Sequence, residues 1–324
     1  MTSKFMAGTK EIVRRIKSVK NTAKITRAME MVSAAKMRKA VASVLAVRAY
    51  AHSAWGALTN LARAFEEYRE GLLDVREVKS VLAIAISSNR GLCGSFNAQV
   101  AKKIREEIKN PGKLKINRIG IKRIDSGVSD KDLKIDFVTV GKKGESVIRR
   151  MSKNIIAAFS ELSYLPKIED VRPLARLTMD DYLAKKYDKV VVIYTNYVST
   201  VKQETKIRQL LPISRIDIEK QIAEMDILAK EYGLEEPIME YKIEPSPNEV
   251  LEHIFPRLIE MQVYHAILES NASKESARML AMKNATEAAG DMASDLTFAY
   301  NQIRQMKITQ EIAEISAGRA ALEG

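Results

Sequence analysis

Two stretches of this 324-residue chain, one at each end, repeat apolar residues at heptad spacing. Stepping alternately four and three residues from Ile12 to Phe65 meets an apolar side chain at thirteen of sixteen positions. The three polar steps, Thr26, Glu30 and Ser33, are consecutive, so the pattern predicts a seam that weakens or shifts there. A second seam starts at Leu258, passes Met261, His265, Leu268, Ala272 and Glu275, and reaches Ile303. Gly and Pro interrupt helices, and neither occurs from Thr9 to Trp55 or from Arg257 to Ala289. An unbroken helix over the first of these runs would be about 70 Å long at 1.5 Å per residue. A compact domain has no room for it, so it needs a partner along its length. Two heptad helices at opposite ends of one chain pack as an antiparallel coiled coil. Small seam residues (Ala23, Ala40, Ala51, Ala54, Ala272, Ala289, Ala293) let the backbones approach closely. The alternative reading is two amphipathic helices laid on a globular core.

Between the seams the period changes. Val81–Ile86 is an apolar run fit for a buried strand, and Phe96–Lys109 is helix-compatible. Leu114–Ile121 and Ile135–Val140 alternate as strands, and Val171–Lys186 reads as a helix. Lys189–Tyr197 is β-branched and aromatic, and Thr205–Leu211 reads as an edge strand ended by Pro212. Strands alternating with helices predict an open, Rossmann-like α/β sheet. The expected fold class is therefore α/β plus a long antiparallel coiled coil. Its expected parts are a long N-terminal helix (1–75), an α/β domain (76–215), a charged, proline-bearing connection (216–248) and a long C-terminal helix (249–324). The polar, basic stretch 113–134 reads as a surface excursion.

Charge sharpens the picture. Residues 1–48 carry twelve Lys/Arg against two acids, Glu11 and Glu30, whereas the whole chain is +12. On a helix, Lys10, Arg14, Lys17, Lys20, Lys24 and Arg27 crowd the faces beside the seam. Such a surface attracts an acidic partner: phosphate, anionic lipid or acidic protein. The plainer reading is a solvated face, but like charges one turn apart repel. No apolar run approaches the length of a membrane span. The basic, acid-poor start is similar to a mitochondrial transit peptide, yet the seam from Ile12 reads as mature structure. Cys93 is the single cysteine, so no disulfide within the chain forms. His52, His253 and His265 share no ligand spacing with it or one another, and no metal is expected. The loop Ser87–Asn97 follows the first strand, where doubly wound folds bind phosphates. It lacks both G-x-G-x-x-G and the P-loop pattern, as does Gly141–Gly144. No catalytic constellation and no cofactor site emerge.

Four segments carry a resemblance. Ile16–Met37 (IKSVKNTAKITRAMEMVSAAKM), Asn89–Asn97, Ala277–Thr286 (ARMLAMKNAT) and Asn301–Ile315 (NQIRQMKITQEIAEI) resemble, in order, motifs of the gamma subunit of F-type, proton-transporting ATP synthase. The resemblance implies a non-catalytic rotor. Its coiled coil would stand inside a hexamer of alpha and beta subunits, one copy per complex. Its α/β domain would be the foot on the epsilon subunit and the c-ring of the membrane sector. Proton flow would turn the shaft, whose asymmetric section would present a different surface to each beta site. The resemblance points to Met29, Arg278, Arg304, Gln305, Thr309 and Glu311 as beta-facing, and to Tyr241 and Glu244 as facing epsilon and the c-ring. Met29→Lys is then expected to lower ATP yield per proton by adding a local ion pair to beta. The basic stretch 113–134 and part of 213–240 do not fit the shorter family pattern. A dithiol switch of the chloroplast kind is excluded by the single cysteine. The expected location is the cytoplasmic face of a bacterial inner membrane, because the sequence starts at Met without a presequence; a mitochondrial or chloroplast compartment is the alternative. Two other classes stay open: a basic coiled-coil protein on nucleic acid or a membrane surface, and an α/β enzyme with helical arms. The first would interleave aromatics with its basic run, yet none occurs between Phe5 and Tyr50.

Overall fold

The computed structural model describes residues 2–60, 71–119, 122–125, 127, 129, 132–233 and 247–323. Helix α1 spans Thr2–Asn60 and the last helix, α7, spans Pro247–Glu323. Between them lie β1 (Ser80–Ile86), α2 (Phe96–Lys109), β2 (Ile116–Ile119), β3 (Lys122–Asp125), β4 (Lys134–Val140), α4 (Lys142–Arg150, with α3 the single turn Gly112–Lys115), β5 (Ile155–Phe159), α5 (Ile168–Leu183), β6 (Lys189–Tyr197), β7 (Gln203–Leu211) and α6 (Arg215–Glu231). The chain divides into two compact units. One consists of residues 1–33 and 279–324; the other is residues 34–278.

In the first unit the two terminal helices pair antiparallel. Thr26 and Thr286 meet side chain to side chain at 2.7 Å. A hollow beside them is lined by Lys20, Ala23 and Lys24 from α1 and by Ala289, Gly290 and Ala293 from α7. Receding along α1 therefore advances along α7. The seam does not weaken where its residues turn polar. Thr26 and Ser33 are buried. One threonine hydroxyl donates across the interface, and the other donates to a carbonyl of its own helix, Ala23 O at 3.1 Å or Met282 O at 2.8 Å. A heptad count scores a polar residue as a failure, whereas a satisfied hydroxyl closes the interface as a methyl group would.

The second unit is a three-layer sandwich around a five-stranded sheet of order β5-β4-β1-β6-β7. β1 pairs parallel with β4 and with β6, β5 pairs parallel with β4, and β7 runs antiparallel on the edge. Alternation along β1 divides its side chains between the faces. Leu82, Ile84 and Ile86 join α5, the first part of α7 and Ala51 of α1. Val81, Ala83 and Ala85 join Val100 and Ile104 of α2 and Ile148 of α4. Both faces are covered, which is why β1 is apolar throughout rather than alternating. β2 and β3 pair antiparallel with each other, apart from the main sheet. The segment Arg215–Glu231, expected only as connection, is helical: Ile222, Met225, Leu228 and Ala229 are buried on one face. Leu61 and Phe65 of the first seam lie outside the described residues.

Candidate partner-binding surface

A doubly wound sheet binds ligands where its strand order reverses. Here the chain leaves β1 toward β4 on one side and later returns to β6 on the other, so that point lies beyond the C-terminal ends of β1 and β6. It is filled by the protein itself. The amides at the start of α4 would serve a phosphate, but residues 87–89 use all three. Lys142 N–H donates to Asn89 Oδ1 at 3.1 Å, Lys143 N–H to Ser88 O at 3.0 Å, and Gly144 N–H to Ser87 Oγ at 2.7 Å. The two loops touch so closely that a Cβ on Gly141 would stand 2.4 Å from Ser87 O, and its φ of +95° suits glycine. At the start of α2, Asn97 accepts from Ser88 Oγ at 2.9 Å and donates to the buried Cys93 Sγ at 3.0 Å. Across β6 lies α7. Thr195 N–H donates to Ser270 Oγ at 3.1 Å, and Ser273 Oγ donates to Thr195 O at 3.2 Å.

Ionisable groups are buried beneath α7, yet their surroundings keep them quiet. Glu269 is held protonated to about pH 8 by burial, opposed by Arg208 and reinforced by Glu224. His265, one turn away with Nδ1 3.5 Å from Glu269 Oε2, is driven down to about 3 by burial and by Arg208. The pair is therefore a neutral acid beside a neutral imidazole. Asn196, its amide turned to suit its neighbours, donates to Glu269 at 2.6 Å and accepts from Lys206 at 2.9 Å. Lys274 is lowered to about 8 by burial, with Asn271 accepting from its Nζ at 2.7 Å. Lys206 and Arg208 both pair with Glu224 of α6, and Arg48 and His52 of α1 with Asp226 at 2.8 and 2.7 Å. These contacts tie elements together, and none leaves a nucleophile beside a base in an open cleft. Among the described residues no group of three or more His, Cys, Asp or Glu could hold a metal.

The open surface is that of the paired helices. In the unit of residues 1–33 and 279–324, Ile25, Met31, Val32, Phe298, Met306, Ile308, Ile312 and Ile315 are all about half exposed or more. Large apolar side chains displayed so densely mark a surface made to be covered. Around them run Lys10, Arg14, Arg15, Lys17, Lys20, Lys24 and Arg27, all exposed. Of the residues singled out from sequence, Met29 is half-buried in this unit, next to Glu30, which pairs with Arg27 at 3.0 Å. Gln305 and Thr309 line one shallow groove with Met306 and Ala313, and Thr309 Oγ1 donates to Gln305 O at 3.0 Å. Arg304 is exposed, and Glu311 faces Lys307 at 3.5 Å. Arg278 belongs to the other unit, where it grips the buried Glu275 at 2.6 Å. Tyr241 and Glu244 lie outside the described residues. Heptad spacing does not single out Ile25, Met31, Val32 and Phe298, because it marks apolar residues in step. The signal they give is the opposite one, apolar residues out of step with the seam.

A family model described as ATP synthase matches residues 8–322. The chain is 40% identical over 321 residues to the ATP synthase gamma chain of Roseiflexus castenholzii (strain DSM 13941 / HLO8), covering 98% of this chain and 99% of the relative. It is 34% identical over 317 residues to that of Legionella pneumophila (strain Corby), covering 98% and 100%. Among solved structures, its fold is similar to a chain of the Euglena gracilis mitochondrial ATP synthase (OSCP/F1/c-ring), with a TM-score of 0.60 at 16% identity over 98% of this chain and 95% of that one. It is likewise similar to a chain of the Tetrahymena thermophila mitochondrial ATP synthase central stalk and c-ring, with a TM-score of 0.54 at 23% identity over 81% and 99%.

Proposed function

The chain belongs to the ATP synthase gamma-chain family, and on that premise we propose that it is the central rotor of an F-type ATP synthase, coupling proton flow through a c-ring to cycling of the beta-subunit sites. The observation that carries this reading is the helical pair itself: two ends of one chain joined along a small-residue seam, with basic and large apolar side chains turned outward. Ten net positive charges on the first 48 residues suit an acidic collar. Charge attraction varies slowly with angle, and exposed ion pairs are individually weak, typically under about 1 kcal/mol, so the collar does not trap one orientation.

The chain performs no chemistry of its own in this reading, since its ligand crevice is occupied by its own loops and helix. Alpha and beta subunits would surround the helical pair, with Met29, Arg304, Gln305, Thr309 and Glu311 toward beta. Arg278, already engaged by Glu275, would reach beta only as part of that ion pair. The epsilon subunit and c-ring would meet the α/β unit, with Tyr241 and Glu244 as its contact residues. The complex would lie peripherally on the cytoplasmic face of a cell inner membrane. None of the described helices is long and apolar enough to cross one. Membership of the family leaves the nucleic-acid alternative without support.

Co-purification with alpha and beta subunits, followed by ATP hydrolysis with and without the chain, tests the reading. A stable complex is expected whose hydrolysis pumps protons only when the chain and the c-ring are present. A purified chain that turns over substrate alone, or a hexamer indifferent to it, would refute the proposal.

A further inference from the structure

The overhanging end of β6 and its turn into β7 are joined to α7 by a row of hydroxyls. β1 ends at Ile86, whose neighbour Ala85 pairs with Ile193, so β6 runs on past its parallel partner to Tyr197. Thr195, fully buried, would be left with open backbone groups there. Serines three residues apart on α7, hence on one face, meet this overhang. Ser270 accepts from Thr195 N–H at 3.1 Å, Ser273 donates to Thr195 O at 3.2 Å, and Ser276 donates to Thr200 O at 2.6 Å. Gln203, the first residue of β7, reaches Ser276 Oγ at 3.5 Å and also donates to Thr200 O at 2.9 Å.

Apolar packing between a helix and a sheet is non-directional, so it resists separation of α7 from the sheet better than it resists rotation of α7 about its axis. Hydrogen bonds weaken steeply with angle and distance. An oxygen about 4 Å from a helix axis moves about 2 Å when the helix turns 30°, which breaks the bond. Three such bonds in a row therefore oppose twist.

Building on the rotor reading, we propose that Ser270, Ser273 and Ser276 are positioning residues that lock α7 rotationally to the β6–β7 hairpin, so that torque passes between the α/β unit and the helix without slip. The test uses the assembled enzyme with its alpha–beta hexamer immobilised and a bead on the α/β unit. With the rotor stalled, the angular variance of the bead reports torsional stiffness. The triple variant Ser270→Ala/Ser273→Ala/Ser276→Ala is expected to raise that variance at least twofold and to lower protons pumped per ATP, while hydrolysis stays within about twofold. If the triple variant does not assemble, Ser276→Ala alone leaves Thr195 paired and is expected to give a smaller rise. Wild-type variance in the assembled variant overturns the inference while leaving the rotor reading intact. A wild-type enzyme whose bead does not rotate during hydrolysis overturns the rotor reading instead.

Discussion

The same two helices are built in two ways within this protein. In the unit of residues 1–33 and 279–324 they have only each other. They bury a narrow stripe of Thr26, Ser33, Met282, Ala289 and Ala293, and turn lysines and large apolar residues outward. Within residues 34–278 they are covered by a sheet and other helices. There Arg48, His265, Glu269 and Glu275 are buried, each beside a charged or polar neighbour. Neighbours, more than heptad position, decide what a helix can bury. One partner excludes water from a stripe, whereas the layers around α7 exclude it from nearly the whole circumference between Leu258 and Ser276.

The sharpest way to break this contrast is to remove bulk from the covered unit. Phe137→Ala, at a side chain 1% exposed, is expected to cost about 3–5 kcal/mol in urea unfolding, because its cavity is enclosed on every side. The reverse change probes the helical pair. Ala289→Leu widens a seam made for close approach and is expected to cost about 1–3 kcal/mol. It should act on melting of the paired helices while leaving the tertiary absorbance signal of Tyr182 and Tyr194 in place.

A titration separates the units next. Between pH 6.5 and 8, native Glu269 keeps a proton that the unfolded chain has lost, so stability falls as pH rises, by up to about 1.4 kcal/mol per pH unit. His265 acts in the opposite sense but only between about 3 and 6.5, and Lys274 only above about 8. Glu269→Gln should therefore flatten the slope between pH 6.5 and 8. A slope unchanged in that variant would assign the titration elsewhere. The smallest expected effect is Thr26→Val, at about 1 kcal/mol, with Thr26→Val/Thr286→Val costing less than the two single changes together.

Much of this was legible beforehand. Phe96–Lys109 and Lys189–Tyr197 form their elements at the residues where composition placed them, since their patterns reflect burial that neighbours impose along the whole length. The sequence pattern does not mark α4 or β5. α4 is short and dense in Lys, Arg and Gly, with Ile148 as its one fully buried anchor, and β5 is an edge strand with no fully buried residue. α6 lay hidden because its apolar face is matched by charges, Glu224 and Asp226, that look like loop until their partners Arg208 and Arg48 arrive from distant segments. Residues such as Met29 and Gln305 stand out only through resemblance: half-buried or exposed, they carry no pattern that this chain's own packing imposes.

The crossing of α7 over β6 also fixes an order of events during synthesis. Thr195 leaves the ribosome well before Ser270 and Ser273, so the nascent sheet carries open backbone groups until all but about the last sixth of the polypeptide has emerged. Contacts of such long sequence separation form late and slowly. The domain must wait for the chain's own tail, and a truncated product ending before residue 270 would present a sticky strand end to the cell's quality-control machinery.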